Sequence, residues 1–369
     1  MEQLLDRPRP APETPAARPA WRPKRVLITR AAREFEHGRA MAARAAAMGI
    51  MVEEQAGNQV RLGLPDDERR AYALAKQTLA IVVAPPSKLK LQPIAPSADW
   101  RIDLAQGCPA HCNYCYLAGS LTGPPITRAY ANIDAIFTAA QARLGEGTIT
   151  SRSEDRAHEG TTYEASCYTD PLGIEAVTGS LSALIERFGA WQANAQLRFT
   201  TKFANVAPLL SLEHNGRTRM RASVNPAAYA PFEGGTDTVA NRLTALRAMA
   251  DAGYPVGLTV APIIAANGWE DAYGELIDQA AAALDGAPET ADLTFELITH
   301  RFTEGSRAVL QGWYPGSRLD MSEDRRTVKR NKFGGRKSVY DRETMSQLRE
   351  FFERRLADRL PQGRILYWT

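Results

Sequence analysis

Residues 107–116 read Gly-Cys-Pro-Ala-His-Cys-Asn-Tyr-Cys-Tyr, and this stretch, the cysteine loop, holds three of the four cysteines of a 369-residue chain. Cys108, Cys112 and Cys115 follow the spacing C-x3-C-x2-C. Three thiolates so close together on one loop can converge on a single metal centre. Because a tetrahedral or cubane site closes with four ligands, three cysteines leave one coordination position open. The motif therefore predicts a metal centre that takes part in chemistry.

Two other interpretations of these cysteines exist. His111 or the distant Cys167 could be the fourth ligand of a structural zinc site, which would predict a nucleic-acid-binding module without catalysis. The cysteines could also form disulfides, but a disulfide framework requires an oxidising compartment. Four cysteines clustered in this way are more typical of a protein in a reducing cytosol. The cysteine spacing alone leaves the zinc alternative open.

The composition is that of an ordinary globular protein. Charged residues make up 24% and hydrophobic residues 44% of the chain, and the net charge is +3. No apolar run reaches the roughly 18 residues of a membrane span, and no secretory signal is recognisable. We therefore expect a cytoplasmic protein. Residues 1–24 contain six prolines without apolar periodicity, which predicts a disordered leader.

From residue 97 to about residue 310, short apolar runs alternate with helix-length segments, and polar or reactive residues follow run after run. The predicted strands are Arg101–Leu104 before the cysteine loop, Thr161–Ala165 before Cys167, Leu197–Thr201 before Lys202, Arg219–Ala222 before Ser223, Pro255–Val260 before Ala261 and Asp292–Leu297 before His300. An active site at the carboxyl ends of consecutive strands is typical of a parallel β/α barrel. Six units predict an α/β fold with a partial (β/α)6 TIM-type barrel. The alternative is a doubly wound sheet, but no G-x-G-x-x-G follows a predicted strand.

Smaller units are predicted on both sides of the barrel. Residues 25–96 alternate between strand and helix patterns, which predicts a small N-terminal α/β domain without catalytic residues. Residues 311–369 are predicted to form a C-terminal β-hairpin followed by a helix over 342–360.

The predicted hairpin is strongly basic. Its segment Arg325–Lys337 carries seven basic residues and no acidic one, with a turn at Gly334-Gly335 and Phe333 near the tip. Such a hairpin could insert as a wedge into nucleic acid, or it could be an ordinary solvated surface hairpin.

The spacing C-x3-C-x2-C is the signature of radical S-adenosylmethionine enzymes, and the chain as a whole resembles one family of them, the spore photoproduct lyases. The resemblance runs from about Arg25 to the terminal Tyr367-Trp368-Thr369. The motifs that carry it, in the same order and spacing, are Cys112–Leu117, Ala165–Cys167, Thr201–Phe203, Ser223, Gly253–Pro255, Ala261–Ile263 and Phe295–Phe302.

The resemblance implies a radical S-adenosylmethionine lyase that repairs DNA. The cysteine loop would hold a 4Fe-4S cluster whose open iron binds S-adenosylmethionine (AdoMet). A 5′-deoxyadenosyl radical would take a hydrogen atom from C6 of the thymine dimer called spore photoproduct, and the methylene bridge between the thymines would then break. Cys167 matches the donor that quenches the remaining thymine radical. Tyr114 and Tyr116 match tyrosines that return the radical, so that AdoMet is regenerated.

The same resemblance implies contacts with AdoMet, and the residues that match them are Lys202, Ser223 and Thr169. The DNA contacts are a separate hypothesis from the residues themselves, because the basic hairpin differs from that of the spore enzymes: His300, Arg301, Lys329, Arg330 and Lys332.

The expected partner is DNA with a dipyrimidine lesion, extruded from the helix because the adenosyl radical cannot reach a stacked base. A flavodoxin or ferredoxin is expected to supply the electron, and the chain is expected to be a monomer. The alternative is a related radical enzyme that acts on another nucleobase lesion or on RNA. Tyr168 and Thr169 stand where the spore enzymes usually carry Thr and Ser, which keeps this alternative open.

Overall fold

The structure is a computed structural model that describes residues 19–119, 123–150, 153–324, 326–330 and 336–369. Within these residues the strands are β1 (Arg25–Ile28), β2 (Met51–Glu54), β3 (Thr78–Val82), β4 (Gln92–Ile94), β5 (Ala98–Arg101), β6 (Ala105–Gln106), β7 (His111–Cys112), β8 (Thr127–Tyr130), β9 (Thr161–Glu164), β10 (Ala195–Thr201), β11 (Thr218–Val224), β12 (Glu233–Gly234), β13 (Val256–Ile263), β14 (Thr294–Thr299), β15 (Arg326–Arg330), β16 (Arg336–Tyr340) and β17 (Arg364–Trp368). The α-helices are α1 (Glu36–Ala47), α2 (Glu68–Lys76), α3 (Pro86–Leu89), α4 (Ile133–Gln141), α5 (Glu175–Thr178), α6 (Ser180–Ala190), α7 (Val239–Asp251), α8 (Trp269–Leu284), α9 (Glu304–Trp313) and α10 (Arg342–Arg359). Residues 1–18 of the predicted leader and residues 331–335 of the predicted hairpin lie outside the described residues.

The N-terminal residues form a five-stranded sheet in the order β2-β1-β3-β8-β6, in which only β8 and β6 pair antiparallel. Val26 packs in the same buried cluster as Met41 of α1, and Leu27 packs in the same cluster as Ala75 of α2. Helices therefore cover both faces, which explains the continuous apolar strands. Because β6 and β8 come from beyond residue 96, this sheet continues past the domain boundary predicted there.

A second sheet of eight strands contains the predicted barrel. Its order is β17-β14-β13-β11-β10-β9-β5-β4, and only β5 and β4 pair antiparallel. The six strands from β5 to β14 in this sheet lie side by side in chain order, whereas the order of a doubly wound sheet reverses. The predicted α/β fold with a partial (β/α)6 barrel is confirmed. Strand β17 adds a seventh parallel strand that the sequence analysis did not predict.

The barrel sheet is strongly curled. Ser97 Oγ donates to Oε2 of Glu164 on β9 at 3.2 Å and to Oε1 of Glu296 on β14 at 3.5 Å. Three strands lie between β9 and β14, so a flat sheet would separate these carboxylates by about 19 Å. Arg221, on the central strand β11, forms ion pairs with both. The curvature therefore brings the ends of distant strands together around one interior.

The helix predicted over 342–360 is present as α10, which ends one residue earlier. Helices α5 and α6 are separated at Gly179, whose φ is +61°. Helix α10 packs Leu348 and Phe352 into the core of the barrel. In the described part of the chain, no helix is long and apolar enough to cross a membrane.

Candidate active site

The cysteine loop is anchored to the N-terminal sheet. Gly107, at its start, has φ +96°, and a Cβ atom there would lie 2.2 Å from the carbonyl oxygen of Ile126, so the position requires glycine. Lys76 ends α2 and is buried; its Nζ donates to the carbonyl oxygens of Cys108, at 2.5 Å, and Ala110. The N-terminal domain therefore holds the loop in position.

The thiols of the cysteine loop are buried or half-buried and form no disulfide. Burial raises the pKa of Cys108 to about 12 and also raises the pKa values of Cys112 and Cys115. The charge of Cys115 raises the pKa of both other thiols, as expected for three neighbouring sulfurs. A bound cationic centre is the condition that would favour their thiolate forms.

Three cysteines on one loop match the ligand set of a 4Fe-4S cluster that leaves one iron open. Among the described residues, no three side chains of His, Cys, Asp or Glu are close enough to hold one metal ion. In a cubane cluster each cysteine binds a different iron, so its ligands lie farther apart than those of one ion. His111 Nδ1 lies 3.2 Å from the hydroxyl of Tyr72, and burial lowers the pKa of this histidine to about 4. No preformed site for a single zinc ion is therefore present among the described residues.

A buried carboxylate that the sequence analysis did not identify lies beside the cysteine loop. Glu233 on β12 is the cross-strand partner of Cys112 on β7. Its Oε1 accepts hydrogen bonds from the Tyr114 hydroxyl and from Lys202 Nζ, the latter at 2.7 Å, and its Oε2 pairs with Arg242 at 2.6 Å. Burial alone would raise the pKa of Glu233, but Lys202 and Arg242 lower it to about 2. This ionised carboxylate therefore fixes Tyr114 and Lys202 next to the loop.

The predicted AdoMet contacts occupy the ends of three neighbouring strands. Asp170 joins two of these ends, because its Oδ1 accepts from the Thr201 hydroxyl at 2.7 Å and its Oδ2 from the Lys202 backbone N–H at 2.8 Å. Thr169 is only 5% exposed, and its Oγ1 has no hydrogen-bond partner among the described residues. Ser223 is buried near the end of β11. Thr169 therefore offers a polar atom for a ligand.

Cys167 and Tyr116, which are predicted to act in one radical pathway, are in contact. The Tyr116 hydroxyl donates to the backbone carbonyl of Cys167. Burial raises the pKa of the Cys167 thiol to about 12, so that the thiol keeps its hydrogen at neutral pH. Tyr116 as a whole residue is 65% exposed, so the contact lies at the surface of the site.

Strands β15 and β16 pair antiparallel and form the basic hairpin. Lys329 lies directly opposite Lys337, and Arg330 lies directly opposite Arg336. Like charges in directly opposed positions destabilise a sheet. An anionic ligand would remove this repulsion.

The other predicted DNA contacts differ in their positions. His300 is buried, burial lowers its pKa to about 3, and its Nδ1 lies 3.1 Å from Nη2 of Arg326. The ring of His300 is thus held beside Arg326 at the base of the hairpin, and its contact with DNA stays a prediction. Arg301 is exposed. Lys332 and the predicted wedge residue Phe333 lie outside the described residues.

Comparison of the sequence with models of known protein families gives a match over residues 21–369, to the family described as spore photoproduct lyase. The chain belongs to the spore photoproduct lyase family. The resemblance inferred from the sequence motifs is therefore confirmed over nearly the whole chain.

Individual family members agree with this match. Spore photoproduct lyase of Geobacillus sp. (strain Y412MC61) is 40% identical over 350 residues, which cover 94% of this chain and 98% of that protein. A solved structure of spore photoproduct lyase complexed with dinucleoside spore photoproduct has 39% identity and a TM-score of 0.87, and covers 95% of this chain and 100% of its own. A doubly substituted spore photoproduct lyase with bound AdoMet and the same dinucleoside has 39% identity and a TM-score of 0.85, over 94% and 99% of the two chains. The fold is shared along both chains.

Three residues of the site were not identified from the sequence. Lys76 lies in a domain for which no catalytic residue was predicted. Glu233 lies in a two-residue strand, and such a short strand has no recognisable hydrophobic pattern. Asp170 follows β9 by six positions, and a polar residue after a barrel strand was the signal that could have identified it.

Proposed function

We propose that this protein is a radical AdoMet lyase that reverses spore photoproduct in DNA to two thymines. The observation that carries the proposal is the contact between Tyr116 and Cys167 in a member of the spore photoproduct lyase family. The phenol hydroxyl is held there at the backbone of the proposed hydrogen donor, after the barrel strand β9, on the side where such barrels have their active sites. The AdoMet and dinucleoside lesion bound in a solved family structure support the same ligands for this chain.

The cofactors would bind to side chains that still have ligand or hydrogen-bonding groups available. The three cysteines of the loop would hold a 4Fe-4S cluster, and Lys202, Thr169 and Ser223 would contact AdoMet. When bound, these cofactors supply the 5′-deoxyadenosyl radical that starts the reaction. Lys202 Nζ donates to Glu233 and to the carbonyl of Ala261, which leaves one of its three N–H donors for a carboxylate or hydroxyl group. Thr169 Oγ1 is buried without a partner in the described residues, and a bound polar group would satisfy it.

Cys167 would quench the radical that remains on thymine after the bridge has broken. Its S–H bond breaks, a C–H bond forms on thymine, and a sulfur radical remains. Tyr116 would then give its hydroxyl hydrogen to that sulfur, and Tyr114 would give its hydroxyl hydrogen to Tyr116. Tyr114 would regain a hydrogen from the 5′-deoxyadenosine formed at the start, so that AdoMet is regenerated and no radical remains on the protein. The raised pKa of Cys167 suits this role, because a thiolate has no hydrogen atom to give.

The DNA would lie against the side of the site that carries the hairpin. Arg301, Lys329 and Arg330 are exposed there, and Lys332 belongs to the same basic segment of the sequence. Cationic side chains bind phosphates of any sequence, which suits recognition of a lesion in varied surroundings. We propose that the protein acts as a monomer. Its electron would come from a flavodoxin or ferredoxin, since the reaction requires one electron at a time.

An anaerobic turnover assay tests the proposal. Reconstituted protein is mixed with dithionite, AdoMet and an oligonucleotide that carries one spore photoproduct, and restored thymines are measured by mass spectrometry. Restoration of both thymines supports the proposal. If AdoMet is cleaved while the lesion persists, the proposed substrate is wrong, and the same assay is then applied to other nucleobase lesions and to RNA.

A further inference from the structure

A cluster of positive charge lies next to Cys167, on elements to which no function has been assigned. Lys88 Nζ lies 4.6 Å and the guanidinium carbon of Arg101 4.5 Å from the ring centre of Tyr168. The two cations come from different parts of the fold, α3 and the end of β5. Their side chains are 21% and 18% exposed, so they are partly withdrawn from water but still accessible.

One carboxylate balances only part of this charge. Asp103 is buried, and its two oxygens lie 3.2 Å from Lys88 Nζ and 3.0 Å from Arg101 Nε. Arg128 on β8 is a third cation in this region, because β8 runs beside the segment that follows Asp103: Arg128 lies opposite Gln106, and the N–H of Tyr130 donates to the carbonyl oxygen of Leu104 at 3.0 Å. Arg128 is half-buried and has no ion pair or hydrogen bond with the described residues, and burial lowers its pKa. This region therefore holds three cations, of which Asp103 pairs with two.

The position of the cluster relates it to the reaction. Arg101 and Asp103 both act electrostatically on the thiol of Cys167, and Tyr168 is the next residue in the chain. The carbonyl of Tyr168 accepts a hydrogen bond of 2.8 Å from the N–H of Gly107, so the cluster is also tied to the cysteine loop. A ligand held by these cations would lie against the proposed hydrogen donor.

Deeper in the barrel, negative charge does not cancel this excess. Glu164 and Glu296 are both paired with Arg221, which leaves one uncompensated negative charge there. The excess charge of the three cations is larger, and partly buried cations without partners are costly. An anionic ligand would remove this cost.

We propose that Lys88, Arg101 and Arg128 bind the phosphodiester that links the two nucleosides of the lesion. This inference rests on the proposed function, because it assigns the anion to the same substrate. Arginine and lysine are the side chains that bind phosphate most strongly, arginine through two parallel N–H donors. The AdoMet carboxylate is a less suitable occupant, since the proposed AdoMet contacts Lys202 and Thr169 belong to a different group of residues. The cluster would act with the hairpin, which binds phosphates outside the lesion.

The test compares three forms of the lesion that differ only at the linkage: the dinucleoside without phosphate, the dinucleotide with its phosphodiester, and an uncharged methylphosphonate analogue. Binding to the AdoMet-loaded protein is measured by calorimetry. We expect wild type to bind the dinucleotide at least about tenfold more tightly than either other form, as is typical of charge-assisted hydrogen bonds. Lys88→Gln and Arg128→Gln should each reduce this preference severalfold. Lys90→Gln removes the same charge two positions from Lys88, at an exposed site, and should leave the preference intact.

The possible outcomes distinguish failure of the phosphate site from failure of the proposed function. Arg101 is not substituted, because it both pairs with the buried Asp103 and lies over the Tyr168 ring next to Cys167. Lys88→Gln also removes an ion pair with Asp103, so Arg128→Gln, which removes none with the described residues, is the second variant. Equal affinity of wild type for all three forms, with the dinucleoside still bound and repaired, would overturn the phosphate site and leave the proposed function standing. A preference that neither Lys88→Gln nor Arg128→Gln reduces would place the phosphate elsewhere. Failure of wild type to bind any form would overturn the proposed function and this inference together.

Discussion

The hydroxyl of Tyr116 donates a hydrogen bond to the backbone carbonyl of Cys167, although 51 positions separate the two residues. The contact joins the cysteine loop to the end of β9. It also holds the tyrosine beside the residue whose radical it would receive. A substitution of Cys167 should therefore affect hydrogen donation to thymine, and a substitution of Tyr116 should affect the return of the radical.

Replacement of Cys167 should stop clean repair without stopping the start of the reaction. In Cys167→Ala the thymine radical has no hydrogen donor, so we expect the yield of restored thymines to fall by about tenfold or more. By-products should appear instead, while cleavage of AdoMet continues. Mass spectrometry of the products measures both effects. Unchanged yield of thymines in this variant would show that another group donates the hydrogen.

Loss of either relay tyrosine should change the consumption of AdoMet. In Tyr116→Phe and Tyr114→Phe the sulfur radical cannot be passed on, so we expect more AdoMet to be consumed for each lesion repaired. The matched control is Tyr168→Phe. Lys88 and Arg101 lie over the Tyr168 ring, and two cations disfavour removal of an electron from it. The ratio of 5′-deoxyadenosine formed to thymines restored is the measurement, and an increased ratio in Tyr168→Phe would contradict the assigned pathway.

Glu233 should make stability dependent on pH in the acid range. Its pKa is about 2 in the folded protein and 4.5 as the unperturbed reference. A carboxyl whose folded pKa is depressed contributes stability that is complete above about 4.5 and is lost as the pH falls towards 2. The full contribution is of order 3 kcal/mol.

Thermal unfolding of wild type and Glu233→Gln over this range tests the prediction. We expect wild type to be the more stable at neutral pH, because the variant leaves Lys202 and Arg242 without their carboxylate. The difference between the two proteins should shrink as the pH falls, and a difference independent of pH would refute the assignment.

Substitutions in the hairpin should weaken DNA binding without weakening the fold. The double variant Lys329→Gln, Arg330→Gln removes one cation from each of the two like-charged cross-strand pairs. We expect lower affinity for DNA, a salt dependence whose slope is smaller by about 2, and unfolding at an equal or higher temperature. The control, Arg342→Gln with Arg354→Gln, removes the same charge from exposed positions of α10. If both double variants bind DNA equally well, the hairpin is not the DNA contact.

The sequence by itself determined the features that depend on short stretches of chain. The C-x3-C-x2-C spacing lies within eight residues, and the hydrophobic pattern of each barrel strand lies within a few positions. The cluster motif, the family and the order of the six parallel strands were therefore predictable. The basic hairpin was recognisable for the same reason, because its charges are contiguous.

Only the tertiary structure decided which distant side chains meet. The curl of the sheet brings Glu164 and Glu296 to one hydroxyl across three intervening strands, and no local pattern encodes that distance. For the same reason Glu233 was missed and the position of His300 beside Arg326 was not foreseen. Curvature and strand register depend on the packing of the whole chain, so they set contacts that residue types at known spacings cannot specify.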